Sequence, residues 1–177
     1  KKDASHSKDS DRIFKTSNQK EVSLRYSTAF KVLKIQGYTP DYVISHSGWG
    51  CGTYIKAYWP KCRLISYVEW WFNPESEFYN YDENNRDLNI SKKTVFEHWS
   101  RNQQLALELS VSDTLITPSE WQKKQLPKFF ADKTNVIFDG IDLDKYRSSN
   151  PIKSKVPLVT YGTRGMEPIR AFKQFII

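Results

Sequence analysis

The sequence predicts an α/β fold with a doubly wound parallel sheet. Short apolar runs alternate with stretches of helical spacing along most of the 177 residues. Such alternation is typical of parallel strands joined by right-handed helical crossovers. Apolar residues make up 38% of the chain and aromatic residues 15%, which is enough for a folded core and excludes a disordered chain.

The first predicted elements are a polar arm and an amphipathic helix. Residues 1–20 are polar and without pattern, and we expect them to form a flexible arm. A helix is predicted from Glu21 because apolar residues then recur every three or four positions, and Gly37 is expected to end it. These apolar positions are Val22, Tyr26, Ala29, Phe30 and Leu33.

Four short apolar runs then predict strands. They are Tyr42–Ile44, Leu64–Val68, Thr114–Thr117 and Val136–Phe138. A helix ending near Tyr58 follows the first run, and a long acidic and aromatic loop from Trp70 to Asn89 follows the second. Thr94 and Glu97 have the spacing of a capping box, which predicts a helix start, and Ser119 is expected to cap a shorter helix.

The pattern changes after residue 146. Residues 147–156 are polar and are predicted to form a linker. A strand, Leu158–Tyr161, and a helix starting near Pro168 are expected to follow. The predicted organisation is an arm (1–20), a partial domain (21–146), the linker (147–156), and the first strand and helix of a second domain (157–177).

The formal charge of +7 is unevenly distributed. Residues 1–40 hold nine basic and four acidic side chains, a balance of +5, whereas residues 69–89 hold six acidic and one basic, a balance of −5. The basic segment is either a solubilising region or a contact for anionic lipid, nucleic acid or phosphorylated small molecules. The acidic segment weighs against nucleic acid, so we expect no nucleic-acid partner.

Cysteine content and hydropathy indicate the cellular compartment in which the protein is expected. Cys51 and Cys62 make no disulfide framework, and no second pair completes a zinc site. We therefore expect no metal and a reduced, cytoplasmic setting. No apolar run approaches the roughly 20 residues that span a bilayer, so any membrane contact is expected to be peripheral, at the inner face.

Two candidate ligand sites follow predicted strands, because sites in open parallel sheets lie beyond the carboxyl ends of the strands. His46, Gly48 and Trp49 lie in a glycine-rich turn, where the alternative is a histidine that serves only its own turn. Glu69 and Trp70 follow the second strand. A carboxylate beside aromatic rings suits a sugar, whereas the alternative is a tryptophan that packs under the loop.

Two further candidates are anion sites. Ser119 begins a helix, whose free N–H groups attract anions, and the alternative is an ordinary cap. Arg164 and Arg170 lie at a strand-to-helix turn. Their guanidinium groups match phosphate oxygens, whereas the alternative is two solvated arginines.

Four motifs, in this order, resemble glycosyltransferase family 4. They are His46-Ser-Gly-Trp-Gly, Tyr67-Val-Glu-Trp-Trp, Thr117-Pro-Ser-Glu-Trp-Gln and Val136-Ile-Phe-Asp-Gly-Ile-Asp. The pattern looks closest to a bacterial subgroup with a His-Pro-Gly-Trp-Gly turn, and Tyr161–Phe172 is similar to the opening of the family's donor-binding domain. The resemblance covers residues 22–177 and implies a GT-B architecture of two Rossmann-like domains, present here in part.

The resemblance implies roles for single residues. By it, His46 is the acceptor-side catalytic histidine. Gly48, Trp49, Glu69 and Trp70, the candidates at the same strand ends, are then expected to bind the acceptor. Arg164 matches an arginine that holds the donor diphosphate, and Arg170 stands where many relatives have lysine. Ser119 and Gly140 are further candidate anion or donor contacts.

The implied reaction is transfer of a hexosyl group from a nucleoside-diphosphate sugar to a polysaccharide or lipid-linked acceptor. The family usually retains anomeric configuration and needs no metal or other cofactor. The first strand of such a domain and the Glu-x7-Glu motif of the donor domain are absent from the 177 residues, so we expect an inactive fragment. The alternative is a non-catalytic carbohydrate- or phosphate-binding module on a degenerate transferase fold.

Overall fold

The computed structural model describes residues 6–76, 92–147, 156–163 and 175–176. Its elements are α1 (His6–Ile35), β1 (Tyr42–His46), α2 (Ile55–Tyr58), β2 (Arg63–Tyr67), α3 (Lys92–Val111), β3 (Thr114–Thr117), α4 (Glu120–Gln125), α5 (Lys128–Ala131) and β4 (Thr134–Val136). The chain divides into two compact units. The first contains Lys1–Pro74 and Ser91–Phe138, and the second contains Glu75–Ile90 and Asp139–Ile177. All of the elements named lie in the first unit.

The strands form one parallel sheet in the order β1-β2-β3-β4. Val43 lies opposite Leu64, and Ser66 lies opposite Leu115. Each crossover therefore places the next strand beside the previous one, as right-handed β-α-β connections do. The α/β class with a parallel sheet is confirmed. Strand β3 coincides with its predicted range, and β2 lies one residue earlier than predicted.

The core lies on one face of the sheet. Side chains alternate between the two faces along each strand, and the inward ones include the fully buried Leu64 and Leu115. Two clusters pack on this face, one formed by Ile55, Trp59, Cys62 and Leu64, and the other by Val68, Leu105, Leu109, Leu115, Leu126 and Phe130. On the opposite face Ile44 is 71% exposed.

Helix α1 starts earlier than predicted and ends as predicted. It begins at His6, so the predicted flexible arm is helical from this residue onward. Extending a helix costs far less than nucleating it, so a polar segment can continue one that packing stabilises. At the other end Gly37 has φ 83°, and the N–H groups of Gly37 and Tyr38 donate to the carbonyls of Lys34 and Leu33, both at 3.0 Å. This is a Schellman motif.

The buried face of α1 is more polar than the predicted stripe. Ser23 is fully buried, and Ser27 Oγ lies 2.8 Å from Tyr58 Oη. Phe30 packs edge-on against the Tyr58 ring with centroids 6.0 Å apart, whereas Leu33 is exposed. A hydrogen bond offsets the cost of burying a hydroxyl group. The apolar spacing of the sequence therefore predicted only part of the α1 face that packs against the rest of the first unit.

Other predicted elements differ from the structure. Strand β1 extends two residues beyond the predicted Tyr42–Ile44. Helix α3 begins at Lys92, so Thr94 lies inside the helix and is not its cap, because the preceding lysines are good helix formers. Strand β4 ends at Val136, and Phe138 is exposed. Leu158–Tyr161 is not a strand. A strand needs a paired neighbour, and the described part of the second unit contains none.

The remaining domain predictions stay untested. Residues 148–155 of the predicted linker and residues 164–174, which include the predicted helix near Pro168, lie outside the described residues. The long loop after the second strand is described only through residue 76.

Candidate functional site

A glycine-rich turn begins where β1 ends, at His46. Gly48 (φ 89°) and Gly50 (φ 76°) adopt left-handed conformations that strain residues with a Cβ. Ser47 fastens this turn to β2, because its N–H and its Oγ both donate to the carbonyl of Tyr67, at 2.9 and 2.8 Å. The turn is therefore held at the carboxyl edge of the sheet.

The end of β2 brings Glu69 beside His46. His46 Nε2 lies 3.2 Å from Glu69 Oε2, and Nδ1 lies 3.0 Å from the carbonyl oxygen of Ser47. A neutral imidazole carries one N–H, so it donates to one of these oxygens at a time and keeps the other nitrogen as an acceptor. Both side chains are partly exposed. A ligand hydroxyl placed beside this pair can hydrogen-bond to the ring and to the carboxylate.

Helix α4 supports the backbone of Glu69. Ser119 is the N-cap of α4 and accepts from the Gln122 N–H at 3.2 Å, and its Oγ donates to Gln122 Oε1 at 2.6 Å. Gln122 Nε2 in turn donates to the carbonyl of Glu69 at 2.8 Å. The predicted cap is confirmed, and its hydroxyl is engaged within the helix. The anion contact suggested for Ser119 remains a prediction.

The two predicted acceptor segments line one cleft of about 540 Å³. The cleft contains His46, Gly48, Trp49, Glu69 and Trp70. Trp49 is 66% exposed with its ring centroid 6.5 Å from that of His46, and Trp70 packs against Trp121 at 5.6 Å. An apolar lining with a few convergent polar groups is typical of small-molecule sites, which measure about 300 to 1,000 Å³.

The remaining lining residues had no predicted role. Ser47 and Phe72 belong to the two predicted segments, whereas Val22, Arg101 and Leu105 lie outside them. Phe72 is held by Asn102, whose Oδ1 accepts from the Phe72 N–H at 3.1 Å and whose Nδ2 donates to the Phe72 carbonyl at 2.8 Å. Asn102, Leu105 and Leu109 recur at helical spacing. Asn102, a polar residue on this apolar face of the helix, was the signal in the sequence that could have pointed to this part of the cleft.

A buried carboxyl group lies beneath the glycine-rich turn. Glu108 of α3 is fully buried, and its Oε1 accepts from Ser45 Oγ at 2.9 Å and from the Gly52 N–H at 3.1 Å. The Ser45 hydroxyl also lies 3.2 Å from the Ser66 hydroxyl, and the Ser66 hydroxyl lies 2.7 Å from the Ser112 hydroxyl. Glu108 Oε2 has no hydrogen-bond partner in the described part of the chain. Burial raises the pKa of this carboxyl above the ordinary 4.5, and the bonds from Ser45 and Gly52 oppose the rise only in part.

Glu108→Gln is expected to change the pH dependence of stability. Because the pKa is higher in the folded state, the folded protein binds this proton more tightly than the unfolded chain. The free energy of unfolding therefore loses the contribution of Glu108 as pH rises above 4.5 and through the folded pKa. Glutamine does not titrate, so the difference in unfolding free energy, wild type minus variant, should fall over this range.

Denaturant unfolding of both proteins between about pH 4 and about pH 8 measures this difference. Glu120→Gln, which replaces an exposed carboxyl, is the matched control and should not show the fall. A difference that stays constant or rises with pH would contradict the assignment of Glu108.

Cys51 serves the turn as a protonated thiol. Burial and the neighbouring negative charge of Glu108 raise the pKa of this thiol. Its Sγ donates to the carbonyl of His46 at 3.1 Å. Within the described ranges, no group of three or more His, Cys, Asp or Glu residues could hold a metal ion. No helix in the described part of the chain is both long and apolar enough to cross a bilayer.

The predicted donor-side residues are not part of this cleft's described lining. Arg164 and Arg170 lie outside the described residues. Gly140 belongs to the second unit and is exposed. Their roles remain predictions.

A parallel α/β sheet with a polar pair and an aromatic cleft at its strand ends defines a Rossmann-like ligand-binding domain. The chain belongs to the glycosyl transferase family 4 group, whose family model matches residues 2–146. Comparisons with curated proteins and with solved structures give no match. Family membership confirms the predicted resemblance at the level of the family and makes this a glycosyltransferase chain, with a nucleotide-sugar donor and a glycan acceptor as the general substrates. The bacterial subgroup remains a prediction.

Proposed function

We propose that this cleft holds the acceptor of a transferase that moves a hexosyl group from a nucleoside diphosphate to a polysaccharide or lipid-linked glycan. The observation that carries the proposal is the His46–Glu69 pair, with 3.2 Å between ring nitrogen and carboxylate, in a cleft that also contains Trp49 and Trp70. An acceptor sugar that packs on the exposed Trp49 ring would present a hydroxyl to this pair.

In the proposed reaction, the acceptor hydroxyl oxygen bonds to the anomeric carbon on the same face from which the diphosphate departs, so that configuration is retained, while the bond from that carbon to the diphosphate breaks. With the imidazole N–H at Nδ1 donated to the Ser47 carbonyl, His46 Nε2 accepts the hydroxyl proton, and the neighbouring Glu69 carboxylate stabilises the positive charge that the ring gains. Arg164 and Arg170 are proposed to stabilise the charge that develops on the departing diphosphate, which removes the need for a metal ion. Retention of anomeric configuration, a cytoplasmic location and peripheral membrane contact through the basic segment remain proposals.

Calorimetric titration of the full-length protein with UDP, GDP and ADP tests the donor side of this proposal. We expect one nucleotide to bind with micromolar affinity, and Arg170→Ala to weaken it at least about tenfold, or about 1.4 kcal/mol, because a guanidinium–phosphate contact is lost. Arg25→Ala removes an exposed arginine that pairs with Glu21 and is the matched control.

Binding of none of the three nucleotides to a well-folded protein would contradict the transferase proposal. The same result would favour a non-catalytic carbohydrate- or phosphate-binding module. Equal weakening by Arg25→Ala would show a general charge effect and would remove the argument for a diphosphate contact at Arg170.

A further inference from the structure

Arg101, a residue of α3, lines the same cleft as Glu69 and carries the opposite charge. Its guanidinium carbon lies 5.5 Å from the centroid of the Phe72 ring. Glu69 lies 3.2 Å from His46 and forms no ion pair with Arg101. Within the described ranges the guanidinium makes no hydrogen bond or ion pair of its own. Its N–H donors are therefore available to a ligand in the cleft.

The aromatic support of Arg101 is itself fixed. Asn102, which is buried, holds the Phe72 backbone through two hydrogen bonds of 3.1 and 2.8 Å. The Phe72 ring also contacts the His98 ring, with centroids 4.8 Å apart. Burial and the nearby charge of Arg101 lower the pKa of His98, so this ring is neutral at neutral pH and does not compete for an anion. A planar guanidinium near a fixed aromatic ring loses less freedom when it binds a ligand than one free in solvent.

The lining of the cleft suits a ligand with one charged group. The His46–Glu69 pair can hydrogen-bond to neutral hydroxyl groups of a sugar, and Trp49 can pack against the sugar ring. Arg101 carries the positive charge of this largely apolar cleft and has unused donors, and Glu69, its negative charge, is paired with His46, so an oxyanion would bind at Arg101. The guanidinium fork matches two oxygens of a carboxylate or a phosphate.

We propose that the acceptor is an acidic glycan, and that Arg101 binds its oxyanion, a carboxylate or a phosphate, within the cleft. The proposal rests on the proposed function, since it names the substrate class of the same site. Arg101 thereby selects acidic over neutral acceptors, while His46 and Glu69 contact the hydroxyl that reacts.

Fluorescence titration of the 177-residue chain with matched sugars tests the proposal, since Trp49 and Trp70 line the cleft and report its occupation. Glucuronate against glucose and galacturonate against galactose form the carboxylate arm, and glucose 6-phosphate against glucose forms the phosphate arm. We expect the acidic member of at least one pair to bind about tenfold more tightly. Arg101→Gln should abolish this preference and leave the neutral sugar unaffected. Arg101→Lys, which keeps the charge without the fork, should retain part of it.

Arg25→Gln is the matched control and should leave the preference unchanged, and circular dichroism melting verifies that each variant is folded. The proposal is overturned if no acidic sugar binds, if acidic and neutral sugars bind equally, or if the preference survives Arg101→Gln. The arm that shows the preference identifies the oxyanion. No nucleotide enters this assay, so its failure leaves the proposed transferase function standing. An Arg101-dependent preference in a protein that binds no nucleotide would overturn the transferase proposal alone.

Discussion

His46→Ala is expected to lower the turnover number for sugar transfer by about 10²- to 10⁴-fold, the usual contribution of a positioned acid–base group. The variant loses the ring nitrogen that lies 3.2 Å from Glu69 and, with it, a hydrogen-bond partner for the acceptor hydroxyl. The affinity for the donor nucleotide should stay unchanged, because the diphosphate contacts are proposed for Arg164 and Arg170. A steady-state transfer assay on the full-length protein, with the nucleotide identified by calorimetry, measures both quantities.

Glu69→Gln and His6→Ala accompany this experiment. Glu69→Gln keeps the size of the side chain and removes its charge, so its effect should be smaller than that of His46→Ala because the ring remains. His6→Ala replaces a histidine at the start of α1 and should have no effect on turnover. Full turnover by His46→Ala with an unchanged melting temperature would remove His46 from the reaction.

Gly52→Ala is expected to destabilise the first unit by about 2 to 4 kcal/mol, from overpacking and from the loss of buried hydrogen bonds. A Cβ at this position would collide with Glu108 Oε1 and Ser45 Oγ, and would lie 2.8 Å from Glu108 Cδ. The Glu108 carboxyl is fully buried and hydrogen-bonded to both neighbours, so it cannot move aside without losing these bonds. Denaturant unfolding measures the change in free energy.

Gly37→Ala is the comparison that measures the cost of backbone strain without the steric clash expected at Gly52. Gly37 has φ 83° and open space around its Cβ position, so its replacement should cost only about 1 to 2 kcal/mol. Gly52→Ala combined with Glu108→Ala should cost less than the sum of the two single changes, because the second removes the main obstacle of the first. Additive free energies would show that Gly52 and Glu108 do not share the packing described above.

The sequence predicted the strand–helix order and part of the cleft, because both depend on local pattern. The runs around Leu64 and Leu115 are short and apolar, and such runs form the buried strands of parallel sheets. His46 and Glu69 each follow a predicted strand, and neighbouring parallel strands end at the same edge of the sheet. Their proximity follows from topology, and the structure brings them within 3.2 Å of each other.

The regions where prediction failed are those in which polar groups or pairing partners decide the outcome. Ser23 of α1 is buried and Ser27 contacts Tyr58, and the separation of Ser27 and Tyr58 in the chain hides that contact from any local pattern. The apolar run Leu158–Tyr161 has the composition of a strand. It does not form one because pairing with a neighbour, and not composition, makes a strand.

The sequence by itself determined the α/β class, the succession of strands and helices along the chain and the glycine-rich turn, since periodicity and glycine content are local properties. Only the tertiary structure decided that Arg101 lines the cleft on a fixed Phe72 ring and that Glu108 lies buried beneath the turn. Helical spacing shows which residues share a face of α3, but not which residues pack against that face. Those residues come from β1, the glycine-rich turn and the segment after β2, so long-range packing decides the roles of Arg101 and Glu108.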